Sequence, residues 1–119
     1  MKKVFIICTV RGATEEYRTK LETYVSELEN SGIKVHLPHR DTNQNAAGIK
    51  ICTENMNAIK DADEVHIFYN STSQGTHFDM GVAFANNKPL IVVDNEKYGE
   101  GKSYPQMIDE WATKHKTNS

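Results

Sequence analysis

Basic residues hold no majority in this chain. Its 14 lysines and arginines stand against 16 aspartates and glutamates, a formal net charge of −2. That balance supplies no global attraction to nucleic acid or anionic lipid, so neither a nucleic-acid polymer nor a membrane is an expected partner. Long apolar runs are also missing. Val4–Cys8 is too short for the core of a signal peptide and leads into a domain. Nothing reaches membrane-spanning length, and the expected location is the cytoplasm. Cysteine is scarce: Cys8 and Cys52 form no metal pattern and read as small buried hydrophobes in a reducing compartment. The five histidines, His36, His39, His66, His77 and His115, show no metal-ligand spacing on one element. No metal and no organic cofactor is expected. No G-x-G-x-x-G follows the first apolar run, and no G-x-x-x-x-G-K-[ST] occurs, which excludes the common dinucleotide and P-loop fingerprints. The acidic pair and strand-ending aspartate of a phosphoacceptor receiver are absent as well. Their places hold Val10-Arg11-Gly12 and Asn70.

What is present is regular alternation. The 119 residues are read as one domain, 1–119, with 38% hydrophobic and 25% charged content typical of globular proteins. Lys3–Thr9 is an apolar run suited to a parallel strand covered on both faces. Thr14 is placed to cap a helix whose apolar residues are Tyr17, Leu21, Tyr24, Val25 and Leu28, and Gly32 ends it. Ile33–Leu37 is the second strand, stopped by Pro38, with a polar loop over His39–Asn45. Ile49, Cys52, Met56 and Ile59 mark one stripe of a second long helix closing near Asp61–Asp63. Val65–Tyr69, Thr76–Asn87 and Pro89–Asp94 read as strand, helix and strand. Ser103 and Pro105 begin a last helix with Met107, Ile108, Trp111 and Ala112 on its apolar face, and the tail Lys114–Ser119 is expected to fray. Such alternation predicts an α/β, doubly wound, flavodoxin- or Rossmann-like parallel sheet of four to five strands in order 2-1-3-4, with helices on both faces. A ligand crevice then lies beyond the carboxyl ends of strands 1 and 3.

Two loops land there. Thr9-Val10-Arg11-Gly12 follows the first strand, and Asn70–Thr76 follows the third. Turns of Gly, Ser and Thr at a helix start leave backbone N–H groups free for an anion or sugar hydroxyl. Arg11 can grip a phosphate or carboxylate bidentately, or stand as an exposed loop arginine. Asp79 has two readings. It can serve as nucleophile or general base, or it can close a capping box with Thr76 and merely stabilise the helix start. Gly81 inside a helix, with Ala83 nearby, suggests a backbone pressed closely against a neighbour. His39 and His77 lie near the crevice and could protonate a leaving group, whereas His36 and His66 read as packed strand residues. Asn55 and Glu54 lie early in the second long helix, and one of them is expected to face the crevice.

The ordered set Asp61-Ala62-Asp63-Glu64-Val65, Gly75-Thr76-His77-Phe78-Asp79-Met80-Gly81-Val82-Ala83 and Asn87-Lys88-Pro89-Leu90-Ile91 resembles the nucleoside 2-deoxyribosyltransferase superfamily. Thr9-Val10-Arg11-Gly12 is similar to the "S-I-R-G" loop of the branch that hydrolyses 2′-deoxynucleoside 5′-monophosphates. The resemblance implies cleavage or transfer of an N-glycosidic bond through a glycosyl-enzyme, with a small nucleotide or nucleoside as partner and no cofactor. It puts Asp79 at the nucleophile position, where the family has glutamate. It puts Thr9, Val10, Arg11, Gly12, Ser73, Gly75 and Thr76 around the 5′ end of the sugar. Asn55 corresponds to a substrate-orienting aspartate, and Ser73, neutral where nucleoside transferases carry an acid, favours a 5′-monophosphate. A homodimer is implied too, with the faces of Met56 and Trp111 as candidates and Ser103 near a serine that the family supplies from a partner subunit. The alternatives are a catalytically weak or inactive nucleotide-binding protein of the same fold, and an interaction domain without a ligand.

Overall fold

The computed structural model describes residues 1–117. In chain order the elements are β1 (Lys3–Ile7), α1 (Glu15–Asn30), β2 (Lys34–His36), α2 (Pro38–Asp41), α3 (Gly48–Asp61), β3 (Glu64–Phe68), α4 (Gln74–Ala85), β4 (Leu90–Asp94) and α5 (Tyr104–Thr117). The four strands form one parallel sheet in the order β2-β1-β3-β4, as the alternation predicts. β1 sits at its centre, with Phe5 in register with His36 on one side and Val65 on the other.

Side chains of β1 alternate between two cores. Val4, Ile6 and Cys8 join Leu21 and Val25 of α1, together with Val35, Leu37 and Phe68. Phe5 and Ile7 face the opposite way, into a larger core with Ile59 of α3, Met80 and Ala83 of α4, and Ile108 and Trp111 of α5. Helices therefore cover both faces. The start of α1 is fixed by Thr14, whose hydroxyl accepts from the Tyr17 amide at 3.1 Å. Its end closes through the Gly32 amide on Glu29 O and the Ile33 amide on Leu28 O, with Gly32 at φ +92°. This is a Schellman closure that only glycine adopts without strain.

Several expectations are corrected. Pro38 opens the short helix α2 rather than a plain loop, because its fixed φ suits a first helical position. The buried stripe of α3 runs through Asn55 and Ile59, while Ile49 is 79% exposed and Cys52 and Met56 are half-buried. The stripe was displaced because a polar residue, Asn55, occupies the inward face. Asn55 accordingly lies mid-helix, not early. Trp111 is a core residue whose indole N–H donates to Lys88 O at 3.0 Å, so it cannot double as a docking face. A side chain at Gly81 would meet nothing within 4 Å, so the expected close backbone approach is not there. The helix α5 continues through Thr117, past the point where fraying was expected, and the last two residues of that tail lie outside the described residues. Among the described residues no helix is long and apolar enough to cross a membrane.

Candidate active site

α3 and α4 pack against each other and against β1, so their inward faces meet beside the carboxyl end of the central strand. α4 begins with Ser73, whose hydroxyl accepts from the Thr76 amide at 3.1 Å. Ser73 is thus the cap, and the capping box of Thr76 with Asp79 does not form. The first turn of α4 is completed without Asp79, which lies one turn further in. There it is only 4% exposed, and Thr76 is fully buried. Asp79 Oδ1, Thr76 Oγ1 and Thr9 Oγ1 are buried without a hydrogen-bond partner among the described residues, as are His39 Nε2 and Gln106 Oε1. Buried polar atoms are ordinarily paired, so the two on one turn of α4 make this stretch a candidate site.

Burial drives the Asp79 carboxyl up to about 7, and the hydrogen-bonding side chain of Asn55 acts the other way. Near neutrality the group is therefore partly ionised and partly protonated. Cys8, at the end of β1, is pushed up to about 12, chiefly by burial and then by the charge of Asp79. It is an inert thiol. Asn55 is 8% exposed, and its Oδ1 accepts from the Thr42 hydroxyl at 2.7 Å. Thr42 Oγ1 lies 2.8 Å from His36 Nε2. Nothing in the sequence flagged Thr42: it sits in a polar stretch, and only the return of that stretch onto α3 gives it a role. Glu54, the neighbour of Asn55 on α3, accepts from the Asn43 amide at 3.1 Å and ties that same stretch down.

The rim is made of loops. Thr9 N–H donates to Tyr17 Oη at 3.2 Å, and the Ala13 amide closes a turn on Val10 O at 3.3 Å. Gly12 carries φ +75°, and both it and Arg11 are exposed. Arg11 makes no ion pair or hydrogen bond among the described residues. Across from it, the amides of Gln74 and Gly75 have no acceptor among the described residues, as expected at a helix start. The preceding loop is held by Asn70 Oδ1, which accepts from the Thr72 amide at 2.9 Å, and by Glu96, which accepts from the Ser71 amide at 2.8 Å. Asn95, next to Glu96, is clipped to α5 through Pro105 O at 3.0 Å and Asp109 at 3.1 Å.

Of the two histidines near the crevice, His77 has both ring nitrogens engaged. Nδ1 lies 2.7 Å from Ser73 O, which can only accept, so Nδ1 carries the proton, and Nε2 faces Tyr69 Oη at 2.9 Å. His39 borders an open groove of about 490 Å³ with Arg18, Glu22, Ser26 and Arg40, and a second groove of about 410 Å³ lies under β2. Neither groove is lined by Asp79, Asn55 or Thr76. His39 nevertheless reaches the rim, since it hydrogen-bonds the Val10 backbone. No cluster of metal-ligating side chains occurs among the described residues.

The sequence model of the family described as nucleoside 2-deoxyribosyltransferase matches residues 7–110, most of the chain. The chain belongs to the nucleoside 2-deoxyribosyltransferase family. Its members are enzymes of the N-glycosidic bond in nucleosides or nucleotides. Among solved structures the chain is similar to the CMP N-glycosidase BcmB of Clostridium botulinum, at 25% identity and a TM-score of 0.67, covering 93% of this chain and 83% of that one. It also shares its fold with the 2-deoxyribosyltransferase of the psychrotolerant bacterium Bacillus psychrosaccharolyticus, at 17% identity and a TM-score of 0.68, covering 92% and 81%. No curated protein sequence matches it. Within this deoxyribosyltransferase-like chain, Thr9, Asn55, Thr76 and Asp79 form the buried part of the candidate site. Val10, Arg11, Gly12, Ser73 and Gly75 belong to the loops above it.

Proposed function

We propose that the chain cleaves the N-glycosidic bond of a nucleoside 5′-monophosphate, with Asp79 as nucleophile. The observation that carries this reading is the buried Asp79 carboxyl, with one oxygen unpartnered, set below two loops suited to an anion. The ionised carboxylate attacks the anomeric carbon. The bond to the base breaks with its electron pair leaving on the base, and a glycosyl-enzyme forms. Water then resolves the intermediate, or a second base does so in transfer. Positive charge on the ring in an oxocarbenium-like transition state is offset by the carboxylate, as in retaining glycosidases. Asn55, buried beside Asp79, favours the ionised form of that carboxyl.

Arg11, with the Gln74 and Gly75 amides, binds the 5′-phosphate, Val10, Gly12 and Ser73 line its approach, and Thr9 and Thr76 lie beneath, toward the sugar. Ser73 is already spent as a helix cap yet keeps its hydroxyl proton for a phosphate oxygen. The likeness to a CMP N-glycosidase supports a monophosphate over a free nucleoside. A homodimer is part of this proposal by family likeness. A second reading, a nucleotide-binding protein with little or no turnover, is favoured by the 4% exposure of Asp79 and by its side chain being one methylene shorter than the family's glutamate.

The test is incubation with a panel of 5′-monophosphates and nucleosides, followed by chromatography for released base. Release that disappears in Asp79→Asn supports the enzyme. Thermal stabilisation by a monophosphate without release supports the binder.

A further inference from the structure

One residue of α1 fastens both ends of the loop that carries Arg11. The Tyr17 amide donates to Thr14 Oγ1 at 3.1 Å, which closes the far end of the loop as a helix cap. The Tyr17 phenol reaches back to the near end, where its Oη accepts from the Thr9 amide at 3.2 Å. Both directions are fixed, because a backbone N–H can only donate. Residues 9–14 are therefore closed across their mouth by a single side chain, with Arg11 and Gly12 at the exposed tip.

The staple is itself anchored. The half-buried Tyr17 ring packs edge-on against Phe68, with centroids 6.5 Å apart and planes at 83°, at the border of the core on that face of the sheet. Phe68 is 1% exposed and ends β3, just before the second loop of the site. Burial holds the phenol above its ordinary range, so it stays protonated near neutrality and its oxygen remains a neutral acceptor.

The amides of the loop divide accordingly. That of Thr9 is spent on Tyr17 and that of Ala13 on Val10 O. Those of Val10, Arg11 and Gly12 have no acceptor among the described residues. The free donors thus lie between two fixed points, and donors held in place beforehand lose less freedom when a ligand arrives. We infer that Tyr17 is a positioning residue for phosphate recognition: by taking the Thr9 amide it holds the Val10, Arg11 and Gly12 stretch ready for a 5′-phosphate. For its meaning in recognition this assignment rests on the phosphate reading proposed above, but it does not depend on base release.

The experiment compares wild type with Tyr17→Phe, which keeps the ring on Phe68 and deletes only the hydroxyl. Hydrogen exchange of the Thr9 amide, read by NMR, reports the staple directly. Calorimetric titration with ribo- and deoxyribonucleoside 5′-monophosphates, the matching nucleosides and inorganic phosphate reports its use. Where base is released, KM takes the place of Kd. Thr9 exchange should quicken while the Ile6 and Ile7 amides of β1 stay protected. Kd for monophosphates should rise by about 5- to 10-fold, the worth of one hydrogen bond, and nucleosides should change by less than about twofold. Unchanged Thr9 exchange in the folded variant overturns the inference. So does quickened exchange with monophosphate affinity intact, or an equal loss on monophosphates and nucleosides, which would mark a general loosening. The selective loss supports it even when no protein releases base, and then only the enzymatic reading has failed. A wild type that binds neither a monophosphate nor inorganic phosphate overturns it together with the phosphate reading.

Discussion

The two halves of the site are built on opposite plans. Below lie Asp79, Asn55, Thr42 and Thr76, each less than 10% exposed and carried on helices or packed tightly against one. Above lie Arg11, Gly12, Ser73 and Gly75, at turns and a helix start, with free amides and a guanidinium open to solvent. The lower half is expensive to assemble, since a carboxyl there loses its hydration. The upper half costs little, because helix starts and turns leave N–H groups unpaired anyway. Chemistry that needs a fixed atom sits in the first, and recognition of a charged, well-hydrated group sits in the second.

Substitutions can be chosen to break each half separately. The largest effect is expected from Asp79→Asn. Base release should fall by four orders of magnitude or so, as when a nucleophile is removed outright. The same change should stabilise the fold, and the sign follows from the titration. Asp79 rises from 3.8 to about 7 on folding, so the native state binds the extra proton between those values and loses stability as pH climbs through them. The asparagine variant gains nothing near pH 3 and its full advantage, on the order of 4 kcal/mol, above pH 7. Denaturant midpoints across that range measure it. Wild-type kcat/KM should rise with pH on a limb centred near 7, because only the carboxylate attacks.

Next in size is Arg11→Ala. It should weaken 5′-monophosphates by about 10- to 100-fold, the worth of a charge-assisted pair, while leaving free nucleosides nearly untouched. Equal losses for both would erase the distinction between the two halves. Asn55→Asp puts a second acid beside Asp79, so the acid limb of the pH profile should move upward by about one unit. Smallest is Ser73→Ala, expected to cost about 1 kcal/mol of stability through loss of the helix cap. Thermal unfolding reads that change, and any larger loss on monophosphates than on nucleosides would separate its cap role from a phosphate role.

The fold was legible in the sequence because parallel strands buried on both faces leave continuous apolar runs. Val4–Cys8 and Val65–Tyr69 announce themselves, and the caps at Thr14, Gly32 and Ser103 lie where the text of the chain puts them. The upper loops were legible for a related reason, since Gly, Ser and Thr at a strand's end are visible locally. The lower half was less so. Asn55 breaks the apolar stripe of α3 and shifted its reading by a turn face, and the Thr76 to Asp79 spacing imitates a cap that Ser73 in fact provides. Thr42 was invisible, because a threonine in a polar stretch gains meaning only when the chain folds back thirteen positions away onto Asn55.

The fastening of Ser71 by Glu96, with Asn95 clipped to α5, couples parts of the chain that are far apart in sequence. The last helix acts as a brace for the loop after β3. Slackening that brace, at a distance from any reacting atom, would let the phosphate-facing amides drift while the carboxyl beneath them stayed in place. Damage at the far end of the chain would then blunt affinity before it touched the chemistry.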